Sequence, residues 1–304
     1  MPLYCQPGRQ AGIITNREPI GPELSAHFRG MPIMDCTIVD VFAEKPLSGN
    51  QLAVVHGPMH LDTVEMQAIA REMNFSETTF VVDESPDQAR VRIFTPTREL
   101  PFAGHPTLGT AWVLGRNRDS YALNLPAGCV SVKFDDNGIV WMEPPPVEPG
   151  DMLGTQSAAA LTGLSPDDID ARYPCRFATI GPRFALVGVK GLDVLQRAKV
   201  RPDVYEDLVG SDEIGVFVFT EGAYNDDAHF AARMFHHRGL REDPATGSAN
   251  TAFASHLRSL GVQGGIVVEQ GFEVGRPSRL YLDVAETIRV GGKVHLVLSG
   301  RFDY

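Results

Sequence analysis

Hydrophobic and polar residues alternate or recur at helical spacing along most of the chain after residue 33. The segment Cys36–Phe42 alternates and is predicted to be a strand, and further strands are predicted at Gln51–His56, Thr79–Asp83 and Ala89–Phe94. Between them, Leu61–Met73 carries apolar residues at the spacing of one helix face. The first half of the chain is therefore predicted to be rich in strands, with one short amphipathic helix among them.

The same order of patterns recurs after a proline-rich segment. Glu143–Gly150 holds four prolines in eight residues, which predicts a stiff linker without regular structure. Strands are then predicted at Ile214–Thr220 and His229–Phe235, followed by a helix over Ser248–Leu260. The corresponding helix of the first half is predicted over Thr107–Leu114.

This recurrence indicates a duplication. The sequence ARVRIF at Ala89–Phe94 and the sequence AARMF at Ala231–Phe235 each precede a glycine-containing turn and an apolar helix. Aligning Gly104 with Gly247 in the sequence brings the two turns into register. The two glycines are separated along the chain by about half of its folded length. Self-similarity on this scale favours a duplicated domain over a solenoid. The alternative is a coincidence between two short turns rich in glycine and alanine.

Composition narrows the class of protein. The chain has 304 residues, 43% of them apolar and 21% charged, which is typical of a soluble globular protein with two domains. A net charge of −11 and the lack of any basic run argue against a nucleic-acid partner. No apolar stretch is long enough for a membrane span, and the N-terminus lacks a signal-peptide pattern, so a cytoplasmic location is expected. The four widely spaced cysteines favour reduced thiols over a disulfide framework or a zinc site.

Both glycine-containing turns are suited to binding an anion. The sequences PFAGHPTLGT at Pro101–Thr110 and EDPATGSAN at Glu242–Asn250 each place glycine where a helix begins. The first N–H groups of a helix have no partner within it, and the helix dipole is positive at that end. If the two halves face one another, both helix starts converge on one cleft that suits a carboxylate substrate. The hydroxyl of Ser248 would add a further donor.

Three titratable residues accompany these turns and are candidates for proton transfer. Asp243 and His105 each precede a proline, which restrains their backbone. Glu77 lies between a helix and an apolar strand, where a dry cleft would raise its pKa. Each residue also has an ordinary structural interpretation. These are a helix N-cap or turn former for Asp243, a buried core ring for His105 and a surface turn for Glu77.

Several long motifs resemble the PhzF-like isomerases of the phenazine-biosynthesis family, which have the diaminopimelate-epimerase-like fold. The resemblance extends over about residues 34–302 and is carried by TIVDVFAEKPLSGN (Thr37–Asn50), SETTFVV (Ser76–Val82), RIFTPTRELPFAGHPTLGTA (Arg92–Ala111), EDPATGSAN (Glu242–Asn250) and EQGFEVGRPSRLYL (Glu269–Leu282). It implies an α+β fold with two pseudo-symmetric domains. Each domain would wrap a mixed or antiparallel sheet around a central helix.

The resemblance also implies an organisation and an activity. Residues 1–33 are expected to be an N-terminal extension, residues 34–145 the first domain and residues 146–304 the second. The last strand either stays in the second domain or returns to the first. The protein is expected to be a homodimer that acts on a small-molecule carboxylate between its two domains, without a cofactor or a metal.

The family's site residues carry over onto matching positions of this sequence. Its catalytic residues fall on Glu77, His105 and Asp243, and its substrate-binding residues fall on Gly104, Gly247 and Ser248. Related racemases of this fold use a cysteine at the start of each central helix, where this chain has Ala103 and Thr246. Neither residue can act as a thiolate base, so a symmetric two-thiol racemase is disfavoured.

The chain departs from the family pattern at two places that are expected to border the cleft. Gln51 stands where the family usually has proline, and His236-His237 replaces a turn that usually contains proline. Both changes put the substrate in question. His236 and His237, together with His229, also raise the question of a metal site. Three histidines within nine residues on a strand and its turn converge poorly on one ion, however.

These features favour an isomerase that shifts a proton and a double bond in a small carboxylic acid. Glu77 would take the proton from one carbon and return it at another, while His105 and Asp243 would tune or relay it. Two alternatives stay open: a non-catalytic or regulatory relative that binds a small acid, and an epimerase or dehydratase on the same fold.

Overall fold

The computed structural model describes residues 33–57, 61–210, 212–236 and 241–303. The predicted N-terminal extension lies outside these ranges, except that Ile33 already belongs to the first strand. Most predicted elements are present, with bounds that differ by a few residues. For example, the helix predicted from Leu61 begins at Thr63, because the side chain of Asp62 accepts hydrogen bonds from the N–H groups of Val64 and Glu65 and caps the helix.

The first half contains eight strands and two helices within the described ranges. The strands are β1 (Ile33–Val41), β2 (Asn50–His56), β3 (Glu77–Glu84), β4 (Gln88–Phe94), β5 (Glu99–Leu100), β6 (Ser120–Leu125), β7 (Gly128–Phe134) and β8 (Val140–Met142). The helices are α1 (Thr63–Met73) and α2 (Gly104–Gly115).

The second half contains ten strands and four helices in the part of the chain that the structure describes. The strands are β9 (Glu148–Met152), β10 (Arg176–Thr179), β11 (Arg183–Gly188), β12 (Ile214–Glu221), β13 (Phe230–His236), β14 (Arg241–Asp243), β15 (Gly264–Gln270), β16 (Ser278–Val284), β17 (Arg289–Gly292) and β18 (Val294–Asp303). The helices are α3 (Thr155–Thr162), α4 (Leu192–Arg197), α5 (Pro202–Val209) and α6 (Gly247–Ser259).

Strand pairing repeats between the halves. Strand β4 pairs with β3 along one edge and with β5 and β6 along the other, and β13 pairs in the same way with β12, β14 and β15. Strands β2 and β3 are parallel, and so are β11 and β12. In each half the chain then enters a central helix, α2 or α6. The predicted α+β fold with two pseudo-symmetric halves is confirmed.

The halves are joined through their outer strands. β8 pairs antiparallel with β17, and the last strand, β18, returns to pair with β1. β9 pairs with β10 and begins within the proline-rich segment, so the prediction that this segment has no regular structure was wrong in part. Proline is compatible with an edge strand, because an outer edge needs no ladder hydrogen bond. Pro149 stands opposite Ala178 in this pairing.

Each central helix is buried by the sheet that surrounds it. Eight consecutive residues of α2, from Gly104 to Ala111, are buried. A Cβ atom at Gly109 would meet Leu52 Cδ2 at 2.6 Å and Val41 Cγ2 at 2.7 Å, so the first two strands pack directly on the helix backbone. In the second half, Phe253 of α6 packs on Phe219 with ring centroids 4.4 Å apart. The cores thus fix both helices by close contact.

None of the described helices has the length and apolar character needed to cross a membrane. Cys36 and Cys175 are buried free thiols, and Cys129 is an exposed one.

Candidate active site

The N-termini of the two central helices meet between the halves. A Cβ atom at Gly104 would lie 3.2 Å from the Cα of Gly247, and one at Gly247 would lie 3.4 Å from the Cα of Gly104. A side chain at Gly104 would crowd the facing backbone, whereas a Cβ at Gly247 would be in ordinary contact with it. A cavity of about 180 Å³ opens beside the contact. It is smaller than the pockets that hold drug-sized ligands, so it suits a small molecule.

The structure brings all six predicted site residues to this cavity. They are Glu77, Gly104, His105, Asp243, Gly247 and Ser248. Glu77 is the first residue of β3, His105 is the second residue of α2, and Asp243 is the last residue of β14. Residues from the two halves of the chain therefore share one small space.

Neither helix start is capped by a side chain. The N-cap residues are Ala103 and Thr246, and neither makes a side-chain hydrogen bond to its own helix. The first turn of each helix also carries no acidic residue. The free N–H groups and the two positive helix ends are therefore available to an anion in the cavity.

Glu77 and His105 form a close, nearly dry pair. The Nδ1 atom of His105 lies 3.5 Å from Oε2 of Glu77, and the two side chains are only 6% and 15% exposed. Burial and, to a lesser extent, the negative charge of Asp243 raise the pKa of Glu77 to about 8, against a smaller opposing effect of Arg241. At neutral pH, Glu77 is therefore mostly protonated and close to the range in which it can both accept and donate a proton.

His105 is held neutral by the same burial. Removal from water lowers the pKa of its ring to about 4, although Asp243 and the backbone of Gln51 favour the protonated form. Its Nε2 atom is buried and has no hydrogen-bond partner. An unpaired buried ring nitrogen is costly unless a ligand supplies its partner. His105 thus offers the cavity one unsatisfied polar atom beside Glu77.

Asp243 has a very different environment, because its carboxylate is densely hydrogen-bonded. Its Oδ1 accepts from Asn50 Nδ2 at 3.0 Å and from the Ser76 hydroxyl at 3.2 Å, while its Oδ2 accepts from the hydroxyl of Thr246 at 2.5 Å. Asn50 and Ser76 belong to the first half of the chain. The alternative that Asp243 serves as the N-cap of α6 is wrong, since Thr246 occupies that position.

A second layer of amides holds the Asp243 turn. Gln270 Nε2 donates to the backbone carbonyl of Asp243 at 2.8 Å and to the Thr246 hydroxyl at 3.1 Å. Its Oε1 accepts from the backbone N–H of Thr246 and from Asn250. Sequence reasoning missed Gln270, although it lies in a motif that resembles the family. Its distance along the chain from Asp243 gave no sign of contact.

Three further titratable residues at the cavity were not predicted as site residues. Arg98 and Glu213 come from opposite halves and form an ion pair of 2.9 Å, with both side chains more than half exposed. His236 also lines the cavity, with Nε2 4.0 Å from Oδ1 of Asp243. The expectation that the His236-His237 segment borders the cleft is met by His236, while His237 lies outside the described residues. Gln51, expected there as well, is not among the lining residues.

Within the described ranges, no group of three or more histidine, cysteine, aspartate or glutamate side chains is arranged to hold a metal ion.

Comparison with known proteins decides the family. The sequence profile of the phenazine biosynthesis-like proteins (PhzC-PhzF) matches residues 39–300. The chain belongs to this family. A protein of Pseudomonas fluorescens named trans-2,3-dihydro-3-hydroxyanthranilate isomerase is 37% identical, over 80% of this chain and 88% of that protein. Because relatives at this similarity are named isomerases, the chain is an enzyme of the isomerase class.

Solved structures of this family share the fold. The crystal structure of a PhzF-family phenazine biosynthesis protein from Bacillus anthracis matches with a TM-score of 0.80 and 25% identity, covering 90% of this chain and 99% of that one. A hydroxyproline epimerase from Agrobacterium vitis has a TM-score of 0.56 at 14% identity, covering 89% of this chain and 92% of that one. The PhzF-like family is thus related in fold to racemases and epimerases.

Proposed function

We propose that this enzyme moves a proton and a double bond within a small carboxylic acid, with Glu77 as the group that carries the proton. The observation that supports this most strongly is the position of Glu77. Its carboxyl group is almost fully buried at the cavity and 3.5 Å from the His105 ring, and its pKa of about 8 suits both steps of a proton shuttle.

The substrate carboxylate would bind at the two helix starts. The backbone N–H groups at Gly104 and Gly247 and the hydroxyl of Ser248 are the donors we assign to it. The absence of a side-chain cap on α2 and α6 supports this assignment, because their free N–H groups need an acceptor. Binding there would bring the rest of a small acid toward Glu77.

The reaction would then proceed by loss and return of one proton. Glu77, as carboxylate, removes a proton from a carbon next to the conjugated system, and the electron pair left behind delocalises toward the substrate carboxylate. The helix N-termini stabilise that charge, as an oxyanion hole does. Glu77 then delivers the proton to a different carbon, and the double bond moves with it.

We assign supporting roles to His105 and Asp243. The neutral ring of His105 contacts Glu77 through Nδ1 and leaves Nε2 for a polar group of the substrate. The charge of Asp243 contributes to the raised pKa of Glu77, and its three donors keep that charge in place. An epimerase with two thiols has no support at this site, because Ala103 and Thr246 stand at the helix starts.

The substrate class we propose follows from the relatives. Several similar proteins are named for an isomerisation of trans-2,3-dihydro-3-hydroxyanthranilate, a small cyclic amino acid with ring double bonds. A cavity of about 180 Å³ supports an acid of this general size. We propose the class of small unsaturated carboxylic acids, of which that compound is the first to test.

We also propose that the enzyme works without a cofactor and in the cytoplasm. Within one chain, we place the boundary between the two domains between residues 145 and 146. We propose that two chains form a homodimer. Support for the dimer comes from β18, whose outer edge carries exposed Leu296, Val297 and Leu298. Light scattering should give twice the chain mass, and a monomer at micromolar concentration would contradict the dimer.

The test is incubation of the protein with trans-2,3-dihydro-3-hydroxyanthranilate and a panel of small unsaturated acids in heavy water, read by mass spectrometry and NMR. We expect one acid to be converted to a double-bond isomer, with Glu77→Gln folded but inactive. Binding of an acid without conversion would instead support the non-catalytic alternative. Full turnover by folded Glu77→Gln would remove Glu77 from its proposed role.

A further inference from the structure

A second cavity lies against the C-terminal part of α6, away from the helix start that faces the active site. It has a volume of about 260 Å³ and lies between the proline-rich segment, β10 and the last turns of α6. His256 on its wall is eight residues beyond Ser248, about 12 Å along the helix axis. The two cavities have no lining residue in common.

The polar residues that line this second cavity are all hydrogen-bond donors, and two of them carry positive charge. They are Arg176, Ser255, His256, Arg258 and Ser259. No aspartate or glutamate lines it, although acidic residues outnumber arginine and lysine by 38 to 27 in the chain. The local charge is thus opposite to that of the protein as a whole, which favours an anionic ligand.

His256 shows most clearly that a buried group at this cavity lacks well-formed hydrogen bonds. It is 5% exposed, and neither Nδ1 nor Nε2 makes a well-formed hydrogen bond, although the Pro174 backbone is close enough to favour the protonated ring. Burial and the charge of Arg176 lower the pKa of the ring to about 4, against a smaller effect of the Pro174 backbone. The ring is therefore neutral near pH 7, with one N–H to donate. A buried ring whose nitrogens lack well-formed hydrogen bonds is destabilising unless a group in the cavity supplies them.

Arg176 adds a second unsatisfied donor on the same wall. Its Nη2 donates to the carbonyl of Gly150 at 3.0 Å, which fixes the guanidinium beside the proline-rich segment. Its Nε is buried and has no partner. Arg258 is also held, because its Nη1 donates to the carbonyls of Ala285 and Glu286. No ion pair is found for either arginine among the described residues, so both charges can serve a ligand.

We propose that this cavity is a second binding site, specific for a small oxyanion with a carboxylate or phosphate group. Arg176, His256 and Ser255 hold the anion, and exposed Arg258 stands at the mouth. The planar fork of an arginine matches both kinds of oxyanion. The site is independent of the proposed isomerase reaction, since it shares none of the residues assigned to that reaction.

The test is a titration of the full chain with inorganic phosphate, and separately with acetate, at constant ionic strength. Histidine rings labelled with ¹³C and ¹⁵N are followed by NMR, and the His256 and His105 signals are assigned from His256→Gln and His105→Asn. His256 reports on the second cavity and His105 on the active site. We expect a saturable shift of the His256 signal, and the relative affinities of the two anions distinguish phosphate from carboxylate ligands.

Two variants make the result specific. Arg176→Gln should weaken the anion affinity seen at His256 about tenfold or more, because it removes a charge-assisted donor. Arg301→Gln removes the same charge on the exposed strand β18 and should leave the affinity within about twofold. If Arg176→Gln does not fold, Arg258→Gln at the exposed mouth should weaken binding several-fold.

Three results would overturn the proposal. One is a His256 signal that stays fixed in both titrations. Another is an equal shift in wild type and in folded Arg176→Gln. The last is equal affinity in wild type and Arg258→Gln. Each would mean that the anion does not bind in this cavity as proposed.

Discussion

The two halves of the molecule contribute unlike chemistry to the same cavity. The first half supplies Glu77 and His105, which have few hydrogen bonds and strongly shifted pKa values. The second half supplies Asp243, whose carboxylate accepts from three side-chain donors and whose backbone carbonyl accepts from Gln270. A duplicated fold has thus placed a titrating pair on one side and a fixed charge on the other.

The difference is instructive because the backbone is so similar in both halves. Strand pairing around β4 and β13 is the same, and both central helices begin with glycine. Few hydrogen bonds leave a carboxyl group free to change its protonation state, whereas many hold a charge in one position. The asymmetry therefore comes from the side chains at the rim of the cavity, and substitutions of these side chains test it.

The largest effect is expected for Glu77→Gln. Turnover of the acid identified in heavy water should fall by at least about a thousandfold, because the amide cannot carry a proton. Steady-state kinetics measure it, with circular dichroism to verify folding. The matched control is Glu84→Gln at the exposed end of the same strand, which should keep near-normal activity. Equal losses in both variants would mean that the effect is not local to the cavity.

The next effect is expected for Asp243→Asn. Above pH 8, where Glu77 is deprotonated, it should lower kcat about tenfold, since it removes a charge that makes the Glu77 carboxylate a stronger base. It should also reduce the free energy of unfolding by about 1–3 kcal/mol, because an amide cannot accept from all three donors. Asp226→Asn, at an exposed position, is the control. A normal kcat in Asp243→Asn would mean that the charge of Asp243 does not contribute to catalysis.

A methyl group at the helix contact should affect binding. In Gly104→Ala the new Cβ would lie 3.2 Å from Gly247 Cα and from Met142 Cε, so the helix starts must separate slightly. We expect KM to rise about tenfold or more, because displaced N–H groups meet the substrate carboxylate poorly. Gly265→Ala, where a Cβ meets nothing within 4 Å, should leave KM unchanged. An unchanged KM in Gly104→Ala would contradict carboxylate binding at this contact.

The pH dependence follows from the role of Glu77 as a base. The group must be deprotonated to remove a proton, and its pKa is raised to about 8. Consequently, kcat/KM should rise with pH by about tenfold from pH 7 and level off above pH 8. The His105 ring, with a pKa near 4, stays neutral over this range. A flat profile between pH 6 and 9 would contradict a base with this pKa.

The smallest effect is expected at the rim. Glu213→Gln breaks the exposed ion pair with Arg98, and such pairs contribute about 1 kcal/mol or less. The change in KM should stay below about fivefold and should shrink at high salt. A large, salt-independent effect would mean that Arg98 and Glu213 belong to the substrate site itself.

Sequence reasoning found the parts that depend on local chemistry. The glycine turns, the prolines after His105 and Asp243, the apolar helices and the place of Glu77 between a helix and an apolar strand all lie within short windows. It did not find the donors to Asp243 at Asn50, Ser76 and Gln270 as a network, because those contacts depend on how the halves dock. The ion pair between Arg98 and Glu213 escaped for the same reason.

Strand β9 shows a different limit of sequence reasoning. Pro149 in this strand and the prolines before it correctly exclude a helix or a central strand, but they do not exclude an edge strand with one partner. Whether such a segment pairs depends on a free edge elsewhere, here β10, which no local pattern in the proline-rich segment reveals.

The most direct test is to measure the pKa of the Glu77 carboxyl group. The method is ¹³C NMR titration of protein with glutamate labelled at the side-chain carboxyl carbon, and the Glu77 signal is assigned from its loss in Glu77→Gln. We expect a pKa of about 8 in the wild type and a lower value in Asp243→Asn, because burial and the nearby charge both act on this group. A value near 4.5 in the wild type, unchanged by Asp243→Asn, would contradict this expectation.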